Sequence, residues 1–176
     1  MSDEETRAID YLASLEPGLL SLELFTQICR LSVMVTAEIA IFKKMSDKKI
    51  GVLLELRPSD DLWWPHQPHL PGSVVLPSDT IHGIHDFSDA LERSLSGLHN
   101  NLISHNLTLA PQYAYSELHR TARGTEHTGL FYTIVEETLA DEGFFSIDSL
   151  PDFIIDYHSR VIALLYPFAH REFLTR

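Results

Sequence analysis

The sequence predicts an α/β/α sandwich around a mixed β-sheet, preceded by a helical extension. Three observations carry this. The elements run helices, hairpin, strand, helix, strands, helix, an order that layers helices on a sheet. Apolar residues make up 44% of the 176, enough for the core of one ordinary domain. No internal repeat, low-complexity tract or long linker divides the chain. The boundaries are 1–32 for the helical extension and 33–176 for the sandwich domain.

Ser2 followed by Glu5 is a capping-box pattern, and Ile9, Leu12 and Ala13 give the next stretch an apolar helical face. Pro17-Gly18 stops that helix. A second helix starts near Ser21, with Leu24, Phe25, Ile28 and Leu31 on one side. From Val33 the text turns β-rich: "VMVTAEIAIFKK", a polar "MSDKK" turn, then "IGVLLELR", together a hairpin. "PSDDLWWPHQPHLPG" is a Pro-rich loop with two tryptophans, and "SVVL" a short strand. A helix is expected over Phe87–Leu102, with Asp86 or Ser88 as cap and Phe87, Leu91, Leu95 and Leu98 as its apolar stripe. "AYSELHRT" and "TGLFYTIVEETL" read as strands. "GFFSIDSLPDFIIDYHSRVIALLYPF" reads as a short strand, a turn and a closing helix.

The formal net charge of -12 repels nucleic acid, so a nucleic-acid-coating role is not expected. The longest apolar run, Leu31–Phe42, is broken by Thr36 and Glu38 and is too short to span a bilayer, so no membrane partner is expected either. The single cysteine, Cys29, lies in an apolar helical pattern and reads as a buried structural residue. The acidic, polar start "MSDEETR" is unlike a signal peptide. These features together fit a cytoplasmic protein.

Within "PHQPHLPGSVVLPSDT" and "FSDALERSL" the chain resembles the Nudix hydrolases. That family carries G-x5-E-x7-R-E-U-x-E-E-x-G-U, with U aliphatic, on a strand-loop-helix unit. "GFFSIDSLPDFIIDYH" is similar to the family's later "WF-x-x-x-ELP" segment and the helix after it. The resemblance covers roughly Val33 to Leu165 in the right order. It implies a Nudix-like α/β/α sandwich around a mixed β-sheet, and hydrolysis of nucleoside-diphosphate-linked compounds with Mg²⁺ or Mn²⁺.

The motif residues fare poorly one by one. Ser73 takes the position of the first Gly, and Asp79 that of the loop Glu. Arg93 takes the Arg position but lies twenty residues after Ser73 where the family has fourteen, so "IHGIHDF" holds six extra residues. Arg93 is expected to make a structural pair, as the family Arg does. Ser94 follows it, Gly97 and Leu98 take the two metal-binding Glu positions, and Asn100-Asn101 replace the late Gly-aliphatic pair. At 3.6 residues per turn that helix face also holds Ala90 and Leu91, and Glu92 is about 200° away from Ser94. No carboxylate is left there to hold Mg²⁺, a hard cation that wants oxygen ligands in octahedral geometry. Asp79 alone remains from the motif.

Other residues offer chemistry beside plainer readings. His82 and His85, in the inserted loop, form a replacement metal site with Asp79, since imidazole favours transition metals over Mg²⁺; the alternative is a polar loop with incidental histidines. The Nudix resemblance implies an acidic base in this later region, with Glu137, its neighbour Glu136 and Glu142 as candidates; the plainer reading is a solvated strand end. Arg57, Arg120 and Arg123 are candidates for phosphate contact, because a guanidinium offers bidentate donors. Trp64, with Trp63, stacks on a nucleobase or covers the core edge. His69, just before "LPG", braces its loop. GxxxxGK, GxGxxG, GxSxG and CxxC patterns are absent.

Two function classes survive. One is a degenerate Nudix protein, weak or inactive as a hydrolase, that binds a nucleotide-like small molecule or a protein partner. The other is an active hydrolase with atypical ligands drawn from Asp79, the loop histidines or later glutamates. The N-terminal helices either form a homodimer interface or simply cap the sheet.

Overall fold

The computed structural model describes residues 2–15, 20–76, 78–79, 87–96, 98, 109–136 and 138–175. Helix α1 (Asp3–Ala13) begins with the expected capping box between Ser2 and Glu5, and it contributes no buried residue. Helix α2 (Leu22–Leu31) is capped by Ser21 and buries Cys29. None of the described helices is long and apolar enough to cross a membrane.

Strand β1 (Val33–Lys44) organises the domain. It is buried from Thr36 to Lys43, so helices must cover both of its faces. On one edge it pairs in parallel with β7 (Thr125–Ile134), which pairs antiparallel with β6 (Gln112–Arg120). On the other edge, β2 (Ile50–Leu53) pairs with the end of β1 and β5 (Gly72–Val74) with its middle, both antiparallel. Strand β8 (Phe144–Ser146) completes the six-stranded mixed sheet beyond β2.

Two expectations need correction. "IGVLLELR" is not one strand. It breaks at Leu54, whose N–H turns to the Gly143 carbonyl at 3.0 Å. Glu55–Leu56 (β3) then joins Pro68–His69 (β4) in a separate two-stranded ribbon. The helix after the motif loop, α3, spans Ser88–Ser96; Ser88 is itself its first residue, and the poor helix former Gly97 follows its last. Leu98 lies beyond the helix yet is buried; residues 99–102 of the expected helix lie outside the described residues.

Alternation along β1 assigns its two faces. Ala37, Ile39 and Ile41 pack with Ala90 and Leu91 of α3, and with Phe87, Phe131 and Leu98. Ala40 and Phe42 pack with Val161, Ile162 and Leu165 of α4 (Asp156–Phe173). Phe87 seats against Gly129 of β7, where an added Cβ would lie 2.8 Å from its ring. Glu38 belongs to the α4 face, at the end where the apolar cluster gives way to polar residues.

Candidate functional site

The α3 face is where the sequence resemblance would put metal chemistry. There Arg93 bridges the loop. Its guanidinium donates to both Asp79 oxygens and, at 2.8 Å, to the Val74 carbonyl; Leu76 N–H adds a bond to Asp79 at 2.8 Å. This is the structural pair expected of Arg93. It also holds the Asp79 carboxyl below the usual carboxylate range, the Arg93 hydrogen bonds being the main cause. Ala90 and Leu91 on this face are core residues, as is Leu98 just past the helix, while Glu92 is exposed. Among the described residues, no three His, Cys, Asp or Glu side chains group as a metal ion would need. The described donors here fall short of the several oxygen ligands Mg²⁺ takes. His82, His85 and Glu137 lie outside the described residues.

The α4 face carries a cavity of about 480 Å³, a size suited to a small organic ligand. Four segments build it: β1 through Glu38, the loop from Arg57 to Gln67, the β6–β7 turn from Arg120 to Glu126, and Asp152–His158 leading into α4. Asp61 fixes the loop by accepting from Trp63 N–H at 2.9 Å and Trp64 N–H at 2.8 Å. The Trp64 ring then meets two guanidiniums, Arg57 at 5.8 Å and Arg123 at 5.2 Å from its centroid. Arg123 is also committed to the buried Glu126, donating from Nε at 3.1 Å and from a terminal nitrogen at 2.9 Å. Arg57 is freer. Its nearest carboxylate contact, Asp61, is 3.7 Å away, and its buried Nε has no hydrogen-bond partner.

Glu38 forms the inner wall. Gly72 on β5 lies across from it, and an added Cβ there would fall 2.8 Å from the Glu38 Cγ. The Glu38 Oε1 lies 3.5 Å from His158 Nε2, while Oε2 is buried without a partner. Burial pushes the carboxyl up to about 8, with Glu126 adding to the rise and Arg123 and Arg57 opposing it. Burial also holds His158 well below the ordinary imidazole range, helped by His69 and the two arginines. His69 is lowered to about 4, again mainly by burial. It braces the loop as expected, with Nδ1 2.6 Å from the Leu70 carbonyl oxygen and its ring edge-on to His158.

Of the residues singled out in the sequence, Arg57, Trp64, Arg120 and Arg123 converge on this one cavity, and Asp79 stands apart in its pair with Arg93. Trp63 turns instead to α2, packing edge-on against Phe25 with centroids 6.3 Å apart. Glu38, Glu126, Tyr157 and His158 were not singled out as site residues. The one signal for Glu38 is a charge inside a β-rich apolar run, at a position that a sheet covered on both sides should reserve for an apolar residue. His158 sits at a core-facing position of the closing helix, where a histidine needs a built partner.

No protein-family model matches the sequence, and no curated protein does. Solved structures do. The C-terminal domain of mouse MUTYH, determined in complex with human PCNA, superposes with a TM-score of 0.57 at 15% identity, covering 80% of this chain and 91% of that one. A MutT/Nudix family protein from Listeria innocua gives 0.56 at 19% identity, over 81% and 98%. The Ap4A hydrolase of C. elegans gives 0.55 at 13% identity, over 78% and 99%. At such identities the likeness is one of architecture. The mixed sheet, with α3 on one face and α4 on the other, is the Nudix fold.

Proposed function

We propose that this chain binds a nucleotide-like small molecule in the cavity on the α4 face and is weak or inactive as a pyrophosphohydrolase. The observation that carries the reading is a contrast between two faces of one sheet. The α3 face offers Ala90, Leu91, Ser94 and a carboxylate already tied to Arg93. The α4 face offers a cavity lined by Trp64 and three arginines. Family chemistry needs several carboxylates converging on metal and water. Losing that charge stabilisation costs several kcal/mol of barrier, and each 1.36 kcal/mol is about tenfold in rate.

The relatives in fold support neither outcome over the other by themselves, since one is named as an Ap4A hydrolase and another was solved bound to a protein. The test is an assay of purified protein with ADP-ribose, dinucleoside polyphosphates, NADH and nucleoside triphosphates, each with Mg²⁺ and Mn²⁺. We expect feeble turnover and a rise in melting temperature with a nucleotide. Turnover of about one per second, abolished by chelator and by Asp79→Ala, would defeat the reading. Loss of that turnover in His82→Ala or His85→Ala would identify a replacement metal site instead.

A further inference from the structure

Two walls of the cavity are connections rather than helix or sheet: the loop that carries Trp64 and the β6–β7 turn that carries Arg123. Connecting segments move more readily than the elements they join. Helix α2 touches both. At the loop, Phe25 packs edge-on against Trp63 with ring centroids 6.3 Å apart. At the turn, Gly124 has φ +153°, a conformation side chains rarely adopt, and an added Cβ would lie 2.2 Å from the Cys29 carbonyl oxygen. Phe25 and Cys29 are four residues apart, so one face of α2 meets both segments. The contacts close a ring. From Phe25 they run to Trp63, then to Trp64 with centroids 6.2 Å apart. They continue to the Arg123 guanidinium, 5.2 Å from the Trp64 ring, and return through Gly124 to Cys29.

We propose that α2 is the clasp of this cavity, with Phe25 and Cys29 as positioning residues that keep Trp64 over Arg123 by holding the loop and the turn together. As a device for ligand binding the clasp rests on the reading above; as a contact it does not. A guanidinium over a ring is a weak contact by itself, and Arg123 spends its hydrogen bonds on Glu126. The half-buried Trp64 is therefore placed by what stands behind its loop. Asp61 fixes both tryptophan N–H groups, but it lies within the loop and moves with it. Helix α2 comes from another part of the chain and ties the loop to the turn. The N-terminal extension thereby belongs to the site.

The chain carries its own reporters. Trp63 and Trp64 are its only tryptophans and Cys29 its only cysteine. Cys29 is 1% exposed, and burial pushes its thiol up, with Arg123 opposing, so a thiol reagent meets it when α2 lifts.

The experiment uses the full chain carrying Trp63→Phe, which keeps a ring against Phe25 and leaves Trp64 as the one indole. Acrylamide quenching of Trp64 and labelling of Cys29 by a thiol-reactive disulfide are measured in this background and after adding Phe25→Ala, Phe25→Tyr or Gly124→Ala. Phe25→Ala should raise labelling about tenfold, the worth of one aromatic pair, and should increase Trp64 quenching with it. Gly124→Ala, at the opposite end of the ring, should produce the same two changes. Phe25→Tyr keeps the edge contact and should restore both readings to within about twofold of the background. Labelling through local opening is nearly independent of dilute urea, whereas labelling through global unfolding rises steeply with it. Faster labelling in Phe25→Ala with Trp64 quenching unchanged would overturn the clasp. So would a Tyr variant as loose as Ala, a folded Gly124→Ala that leaves Trp64 quenching unaltered, or a steep urea dependence in Phe25→Ala. The Phe25 pair decides alone where Gly124→Ala does not fold. ADP-ribose without metal should slow Cys29 labelling in the background protein. Variants that behave as stated, with ADP-ribose without effect on either reporter, would uphold the clasp and count against the ligand-binding reading instead.

Discussion

Replacing Glu38 by Gln should stabilise the protein, and by an amount that grows with pH. An ordinary Glu ionises near 4.5, whereas burial holds Glu38 neutral to about 8. Between those values the unfolded chain has released this proton and the folded chain has kept it. The folded state therefore loses ground at about 1.36 kcal/mol per pH unit, roughly 5 kcal/mol across the whole interval. The loss begins near pH 4.5 and levels off above pH 8. Gln carries no such linkage. Urea unfolding of both proteins at pH 5, 6, 7, 8 and 9 gives the difference directly. It should shift toward the Gln variant at each step and flatten at the last. His69 and His158 act with the opposite sign. Their folded values lie below the ordinary 6.5, so they contribute fully above pH 6.5 and the contribution is lost as pH falls toward about 4, where His69 titrates. Wild-type stability should therefore crest near pH 6.5. A difference between Gln and Glu that is independent of pH would show that Glu38 is ionised in the folded protein.

Three further outcomes follow from the packing. Arg93→Ala should lower unfolding stability by about 1–2 kcal/mol, at the low end for charged hydrogen bonds because Arg93 is a third exposed; equilibrium denaturation would measure it. Lys43 is fully buried, donates to the Leu139 carbonyl and meets Asp141 at 2.6 Å, so Lys43→Ala should destabilise the fold, read as a lower urea midpoint. Gly72→Ala would place a Cβ 2.8 Å from the Glu38 Cγ and 3.0 Å from the Ala37 carbonyl oxygen, costing about 1–3 kcal/mol, and it should weaken nucleoside binding more than Arg93→Ala does.

Much of the fold was legible because the text changes period where the structure changes element. β1 ends at Lys44, and the polar turn and β2 follow where the alternation predicts them. The Ser2–Glu5 box and the Ser21 cap are local hydrogen bonds with local signatures. The break at Leu54 was not legible, because the acceptor that takes its N–H is Gly143, far along the chain. The site divides in the same way. Arginines and tryptophans advertise themselves by type, and Arg57, Trp64, Arg120 and Arg123 do meet. Glu38 is defined by what is missing around one oxygen, and only packing decides that.

The sequence draws attention to the motif helix α3, and the cavity lies on the opposite side of the same strand. The alternation of β1 makes this separation physical. Residues 37, 39 and 41 face α3, where Ala90 and Leu91 are core and Asp79 is paired with Arg93. Residues 38, 40 and 42 face α4, where the apolar packing of Ala40 and Phe42 stops at Glu38. A strand this deeply buried tolerates a charged-type residue only if something repays its desolvation. His158 faces one oxygen of Glu38, and the other is buried without a partner among the described residues. A degenerate motif is therefore no argument against a working cavity.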